Sequence, residues 1–141
     1  MSVILPNLLL GDVNDALMAV RGSTRPQVSA ILTMAAELPL HQRFAGLQYF
    51  INYKYIPMDD SPSQDLLSNL PEALNFIHSE LEQGHTVLVH CAAGISRSAS
   101  VVIAYLMMTR GMTLAEAYQY VKSRRPIVEP NPGFIQQLST L

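Results

Sequence analysis

The run Val87-Leu88-Val89-His90-Cys91-Ala92-Ala93-Gly94-Ile95-Ser96-Arg97-Ser98 constrains this chain more than any other segment. Residues 86–89 are short and continuously apolar, which suits a central strand buried on both faces. A glycine-containing loop follows and opens a segment, Ser98 to Thr109, that is apolar nearly all round. A helix of that kind belongs in the core, directly behind the loop. Strand, loop and helix in this order also create an anion site. Converging backbone N–H groups form a nest, and the first helical turn adds unpaired donors and the positive end of its dipole. Such surroundings favour the thiolate of Cys91. Arg97, six residues on, offers a planar fork matched to phosphoryl oxygens.

The rest of the chain supplies the layers around that unit. Leu8 to Leu10 read as a short strand ending at Gly11, and Asp12 can cap a helix reaching about Arg21. Residues 23–26 form a turn, and Val28 to Met34 a buried strand. Leu47 to Pro57 is strand-like by its β-branched and aromatic content. A polar loop, Asp59 to Ser63, comes next. Leu66, Leu67, Leu70, Leu74, Ile77 and Leu81 recur at helical spacing until Gly84, with an irregular start and a regular helix from near Pro71. Thr113 to Glu116 is a capping-box pattern for a helix ending near Arg124, and a last helix runs from about Pro132 to Ser139. Strands alternate with helices first and helices cluster at the end, so the fold class is α/β.

At 141 residues, with 49% apolar and 14% charged, the chain reads as one globular domain, 1–141, able to bury a single core. A net charge of −2 gives no pull toward nucleic acid or anionic membrane. No apolar run approaches membrane-spanning length, and the N-terminus lacks signal-peptide character. One cysteine excludes an internal disulfide and a cysteine-rich metal site. An intracellular, cytoplasmic or also nuclear, protein is expected.

The chain resembles the dual-specificity protein phosphatases of the cysteine-dependent class, in their atypical, catalytic-domain-only form. The resemblance spans Ile4 to Gly11, Ile56-Pro57-Met58-Asp59-Asp60, His90 to Ser98, Ala104 to Met107 and Arg124 to Phe134. It implies a twisted central mixed sheet of about five strands flanked by helices, with the signature loop at the C-terminal end of a central strand. Cys91 is then the nucleophile, and residues Ala92, Ala93, Gly94, Ile95, Ser96 and Arg97 bind phosphate. Ser98 bonds the sulfur, His90 bonds neighbouring backbone, and Asn131 buttresses the loop with its side chain. Asp60 is the general acid, with Asp59 as the fallback. No cofactor and no metal are implied, and the expected partners are phosphoprotein substrates. Because Ala92, Ala93 and Ile95 are uncharged, highly anionic phosphoinositide or RNA 5′-phosphate substrates are disfavoured.

Each residue also has a plainer reading. Cys91 can be a small core hydrophobe, Arg97 a surface ion-pair residue and Ser98 a helix-start serine. Asp60-Ser61-Pro62 can be an ordinary Asx turn, and Pro130 to Gly133 a turn before a helix. Lys122, Arg124 and Arg125 read as answering a helix dipole. His41, His78 and His85 lack metal-ligand spacing, and the methionines, Met107 and Met108 included, read as core filler. Two other functions compete: a phosphate-reading scaffold with little turnover, and an arsenate reductase or sulfur transferase. The reductase is weakened by the lack of a second, resolving cysteine.

Overall fold

The computed structural model describes residues 1–37 and 51–141. In chain order the elements are β1 (Ser2–Leu5), β2 (Leu8–Gly11), α1 (Val13–Val20), β3 (Ala30–Thr33), β4 (Asn52–Tyr55), α2 (Leu70–Glu82), β5 (Val87–His90), α3 (Arg97–Arg110), α4 (Leu114–Arg124) and α5 (Pro132–Leu138). The strands form one mixed sheet in the order β1-β2-β5-β3-β4, with β1 antiparallel to β2 and every other pair parallel. This is the helix-flanked five-stranded sheet that the resemblance implies.

β5 is the central strand. Val89 is in register with Leu10 of β2 on one side and Leu32 of β3 on the other. Successive side chains of a strand point to opposite faces, and here both faces are apolar. Leu8, Leu10, Ala30, Leu32, Val87 and Val89 face the large core with α2 to α5. Leu9, Ile31 and Leu88 face a smaller cluster with Ala16 and Ala19 of α1. Arg97 to Leu106 of α3 are all buried, the apolar run from Val101 to Leu106 by its pattern and the polar Arg97, Ser98 and Ser100 through hydrogen bonds. The parallel strands therefore carry their C-terminal ends to one edge, and the Cys91 loop emerges there, where ligand sites of open α/β sheets lie.

Local chemistry explains the helix boundaries. Asp12 accepts from Asp15 N, and Asp15 accepts from Asp12 N, closing a capping box on α1. Thr113 and Glu116 do the same for α4. A 3₁₀ turn at Leu67–Asn69 leads into α2, with Pro71 in the first helical turn, where its missing N–H breaks no bond.

Four expectations are corrected. The first strand of the sheet is β1, not the segment at Leu8. β1 is an edge strand with Val3 51% exposed, so its alternation is too short to read. The buried strand expected over 28–34 pairs only at Ala30–Thr33, and the one expected over 47–57 pairs at Asn52–Tyr55. Its first four residues, 47–50, lie outside the described residues, as does His41. Met107 packs against the core, but Met108 is 60% exposed and is not filler.

Candidate active site

The loop after β5 is held from outside by its own carbonyl oxygens. His90 O accepts from Met34 N at 2.9 Å, and Cys91 O from His90 Nδ1 at 2.9 Å. Ala92 O accepts from Val13 N at 3.0 Å, at the start of α1. Ala93 O and Gly94 O accept from Arg125 Nη2 and Nε at 3.5 and 3.0 Å. Ile95 O accepts from Glu129 N at 2.8 Å, and Ser96 O from Ser100 N at 2.9 Å. Seven consecutive carbonyls are thus engaged. Among the described residues, no N–H of residues 92–97 donates to the protein. A row of free donors ahead of α3 is a nest for an anion.

Gly94 is required twice over. Its φ is +69°, and a Cβ there would lie 2.6 Å from Gly11 O and 2.7 Å from Arg125 Nη2.

Cys91, buried, stands at the start of the loop, with its Sγ 3.1 Å from Ser98 Oγ in the first turn of α3. His90 is fully buried. Cys91 O can only accept, so His90 Nδ1 carries the proton and Nε2 takes the hydroxyl of Thr33 at 2.7 Å. Thr33 Oγ1 in turn accepts from Tyr53 OH at 3.0 Å. Burial holds the imidazole below its ordinary pKa, against the Cys91 carbonyl bond and the charges of Asp12 and Asp15.

Arg97 is 7% exposed and ion-paired at its far end. Nη1 and Nη2 donate to Glu37 Oε2 and Oε1 at 3.0 and 2.8 Å, and Nη1 also donates to Met58 O at 2.9 Å. Among the described residues, three of five guanidinium donors are used. The remaining pair, Nε–H and the second Nη2–H, lie side by side on one edge, the fork that fits two phosphoryl oxygens. Burial opposes the charge of Arg97, but Glu37, Cys91 and Asp60 outweigh it and raise the guanidinium pKa.

Asp60 is exposed, and its Oδ1 accepts from Asn131 Nδ2 at 2.9 Å. Asp59 is exposed too, and among the described residues only its backbone N–H is tied, to Gln64 Oε1 at 2.9 Å. Of the two carboxylates, Asp60 is the one joined to the elements that build the loop.

The role expected of the Asn131 side chain is corrected. It caps α5 through Oδ1, which accepts from Phe134 N, and reaches Asp60 through Nδ2. The bond to the phosphate loop comes from its backbone N–H, which donates to Ser96 Oγ at 2.9 Å. The turn reading of this segment holds, since the side chain caps α5, and the loop contact comes from the backbone.

Lys122 and Arg124 stand in the last turn of α4, where the dipole reading put them, but the reading of Arg125 is corrected. Arg125 is 8% exposed and reaches the loop carbonyls and Ser2 Oγ. Arg124 instead stacks on Tyr120, and Lys122 donates to Pro126 O and Val128 O. A sequence signal for this existed: Ala117, Val121 and Arg125 share one buried helical stripe. Glu37 carried no such signal, because its partner is 60 residues away. Among the described residues, no cluster of His, Cys, Asp and Glu could hold a metal ion.

Residues 10–141 match the family model for the dual specificity phosphatase catalytic domain. The chain belongs to that family. It is 40% identical over 138 residues to dual specificity protein phosphatase 2 of Mus musculus, covering 98% of this chain and 42% of the relative. It is 46% identical over 114 residues to dual specificity protein phosphatase 1 of Arabidopsis thaliana, covering 81% and 55%. The chain thus spans about half the length of these curated relatives. Among solved structures it resembles human DUSP28, with a TM-score of 0.86 and 35% identity over 99% of this chain and 90% of that one. It also resembles a human tyrosine phosphatase-like serine/threonine/tyrosine-interacting protein, at 0.83 and 33% over 99% and 93%.

Proposed function

We propose that the chain hydrolyses phosphate monoesters of tyrosine and of serine or threonine in proteins, through a cysteinyl-phosphate intermediate. The observation that carries this reading is the loop with every carbonyl engaged outward around Cys91. Its free N–H groups and the open fork of Arg97 meet the three equatorial oxygens, over which transition-state charge is spread.

In the first step Cys91 Sγ attacks phosphorus in line, and the P–O bond to the substrate breaks. Asp60 gives its proton to the departing oxygen. In the second step Asp60 takes a proton from water, which attacks phosphorus and breaks the S–P bond. Ser98, beside the sulfur, donates to the leaving thiolate. Each role in both steps falls to a residue of the chain. Because the reaction needs Cys91 reduced, we place it in a reducing, intracellular compartment.

The scaffold reading draws on the phosphatase-like, interacting neighbour. Steady-state turnover of para-nitrophenyl phosphate, with and without EDTA, separates the two. Turnover unaffected by EDTA and abolished in Cys91→Ser supports hydrolysis. Tight phosphate binding with no turnover supports a scaffold.

A further inference from the structure

Helix α5 supports the acid loop at more points than its capping residue. Gln137, one turn beyond Gly133, turns its side-chain amide to the segment that follows Asp60. Its Oε1 accepts from Leu66 N at 2.7 Å and Leu67 N at 3.2 Å, and its Nε2 donates to Gln64 O at 2.9 Å. At Gly133 the contact is backbone on backbone, since a Cβ there would lie 2.0 Å from Pro62 O. At the N-cap, Asn131 Nδ2 reaches Asp60. Positions 131, 133 and 137 therefore meet the loop at 60, 62 and 64–67, in the same order along both segments.

Asp60 is exposed, so burial does not fix it. Upstream the loop is tied at Met58, whose carbonyl accepts from Arg97 Nη1 and Ala36 N. Downstream it is tied by Gln137 and by the side chain of Leu66, which is fully buried in the core. Between these ties, the remaining bonds of residues 59–63 among the described residues are the Asn131 contact and short-range bonds among 59–64. With Leu66 as the remaining anchor, cutting the Gln137 bonds loosens residues 59–65, the stretch that carries the proton donor, while Cys91, Arg97 and the nest keep their own supports.

We infer that Gln137 is a positioning residue for proton transfer by Asp60: it holds residues 64–67 on α5 and so fixes where that carboxyl is presented. The inference rests on the reading of Asp60 as the proton donor. It separates Gln137 from the phosphate-binding machinery, and that separation can be measured.

The test uses kcat/KM, which covers the steps through departure of the leaving group. Two substrates are compared: phenyl phosphate, whose leaving oxygen needs a proton, and 2,4-dinitrophenyl phosphate, whose phenolate departs without one. Gln137→Ala is expected to slow the first about tenfold, a part of the ~10²–10⁴ that a positioned acid contributes. The second should change less than twofold, and inhibition by inorganic phosphate should stay within twofold. Gln137→Glu, which can still accept from Leu66 N and Leu67 N, should recover part of the loss. Gly133→Ala, which pushes on Pro62 from a different atom, should show the same selectivity, so the test survives if one variant fails to fold. In an Asp60→Asn background, Gln137→Ala should cost nothing more.

A loss shared equally by both substrates, a weakened phosphate inhibition, or a further loss on top of Asp60→Asn overturns the inference. So does a Gln137→Ala enzyme as fast as wild type when Asp60→Asn is slow. If Asp60→Asn is itself as fast as wild type, the reading of Asp60 has failed, whatever Gln137 does.

Discussion

The Cys91 loop, proposed to bind phosphate, and the Asp60 loop, proposed to carry the acid, meet at the same edge of the sheet but are held in different ways. Residues 90–96 are tied through their backbone, one carbonyl after another, by Met34 just past β3, the His90 ring, α1, α3 and the segment 125–129. Residues 59–63 are exposed at most positions and are located by side chains of a distant helix. On the function proposed above, the first arrangement suits a site whose ligand is always a phosphoryl group: its donors are preorganised and cost no reorganisation during reaction. The second suits a group that must meet leaving oxygens on residues of different length. Substitutions in the two regions should therefore fail in different ways.

The largest expected effect is at Cys91. Cys91→Ser should abolish turnover while leaving inorganic phosphate binding measurable, because the nest and the Arg97 fork remain. Calorimetry on the variant beside a turnover assay checks this. Residual turnover within tenfold of wild type would sink the covalent mechanism and, with it, the idea that the phosphate loop does more than bind.

Next in size is the contrast between the two aspartates. Asp60→Asn should lower kcat/KM for phenyl phosphate on the order of 10²–10⁴, and Asp59→Asn should do far less. The loss at Asp60 should shrink with 2,4-dinitrophenyl phosphate. If the two variants exchange behaviour, the acid has been assigned one residue out of register, and the Asn131 contact marks the wrong carboxylate.

Arg125 gives the sharpest counterpart to Gln137. Arg125→Met releases Ala93 O and Gly94 O and loosens the nest, so it should slow both substrates alike and weaken phosphate inhibition. About tenfold is expected, less than the ~10²–10³ lost when an oxyanion donor is removed outright. A loss confined to the poor leaving group would erase the distinction between the two loops.

What the sequence reveals divides along the same line. Cys91, Gly94, Arg97 and Ser98 are legible because their spacing is local: one strand end, one loop and one helical turn bring them together. The sheet's core is legible for a similar reason, as continuous apolar runs at β3 and β5 dictate burial on both faces. The supports are not local. Glu37 meets Arg97 across 60 residues, and Gln137 meets Leu66 across 71. Gln137 also lies beside Phe134 and Leu138 on the face of α5 that turns to the core, where a polar residue needs a partner. That much could be read beforehand; which partner could not. Asn131 shows the limit most directly, since the motif locates the residue but does not say which of its atoms touches the loop.

The smallest prediction concerns pH and the inner support of the phosphate loop. Burial is the largest influence on His90 and lowers its pKa from 6.5, so the folded protein keeps the ring neutral where an unfolded chain would protonate it. Below that pH the unfolded state binds more protons, so stability rises with pH and is lost as pH falls through 6.5. Glu37 acts in the same direction at lower pH: its bond to Arg97 lowers its pKa from 4.5, giving stability present above that value and lost below it. Glu37 is half exposed, so solvent screens its share. His90→Gln can still donate to Cys91 O and accept from Thr33, but it does not titrate. Urea unfolding at pH 7.5 and 5.5 should show a smaller loss of stability on acidification for His90→Gln than for wild type. The difference is bounded by about 1.4 kcal/mol for each unit of the histidine's shift. Equal losses in the two proteins would mean that His90 titrates alike folded and unfolded, and that the phosphate loop does not depend on a neutral imidazole beneath it.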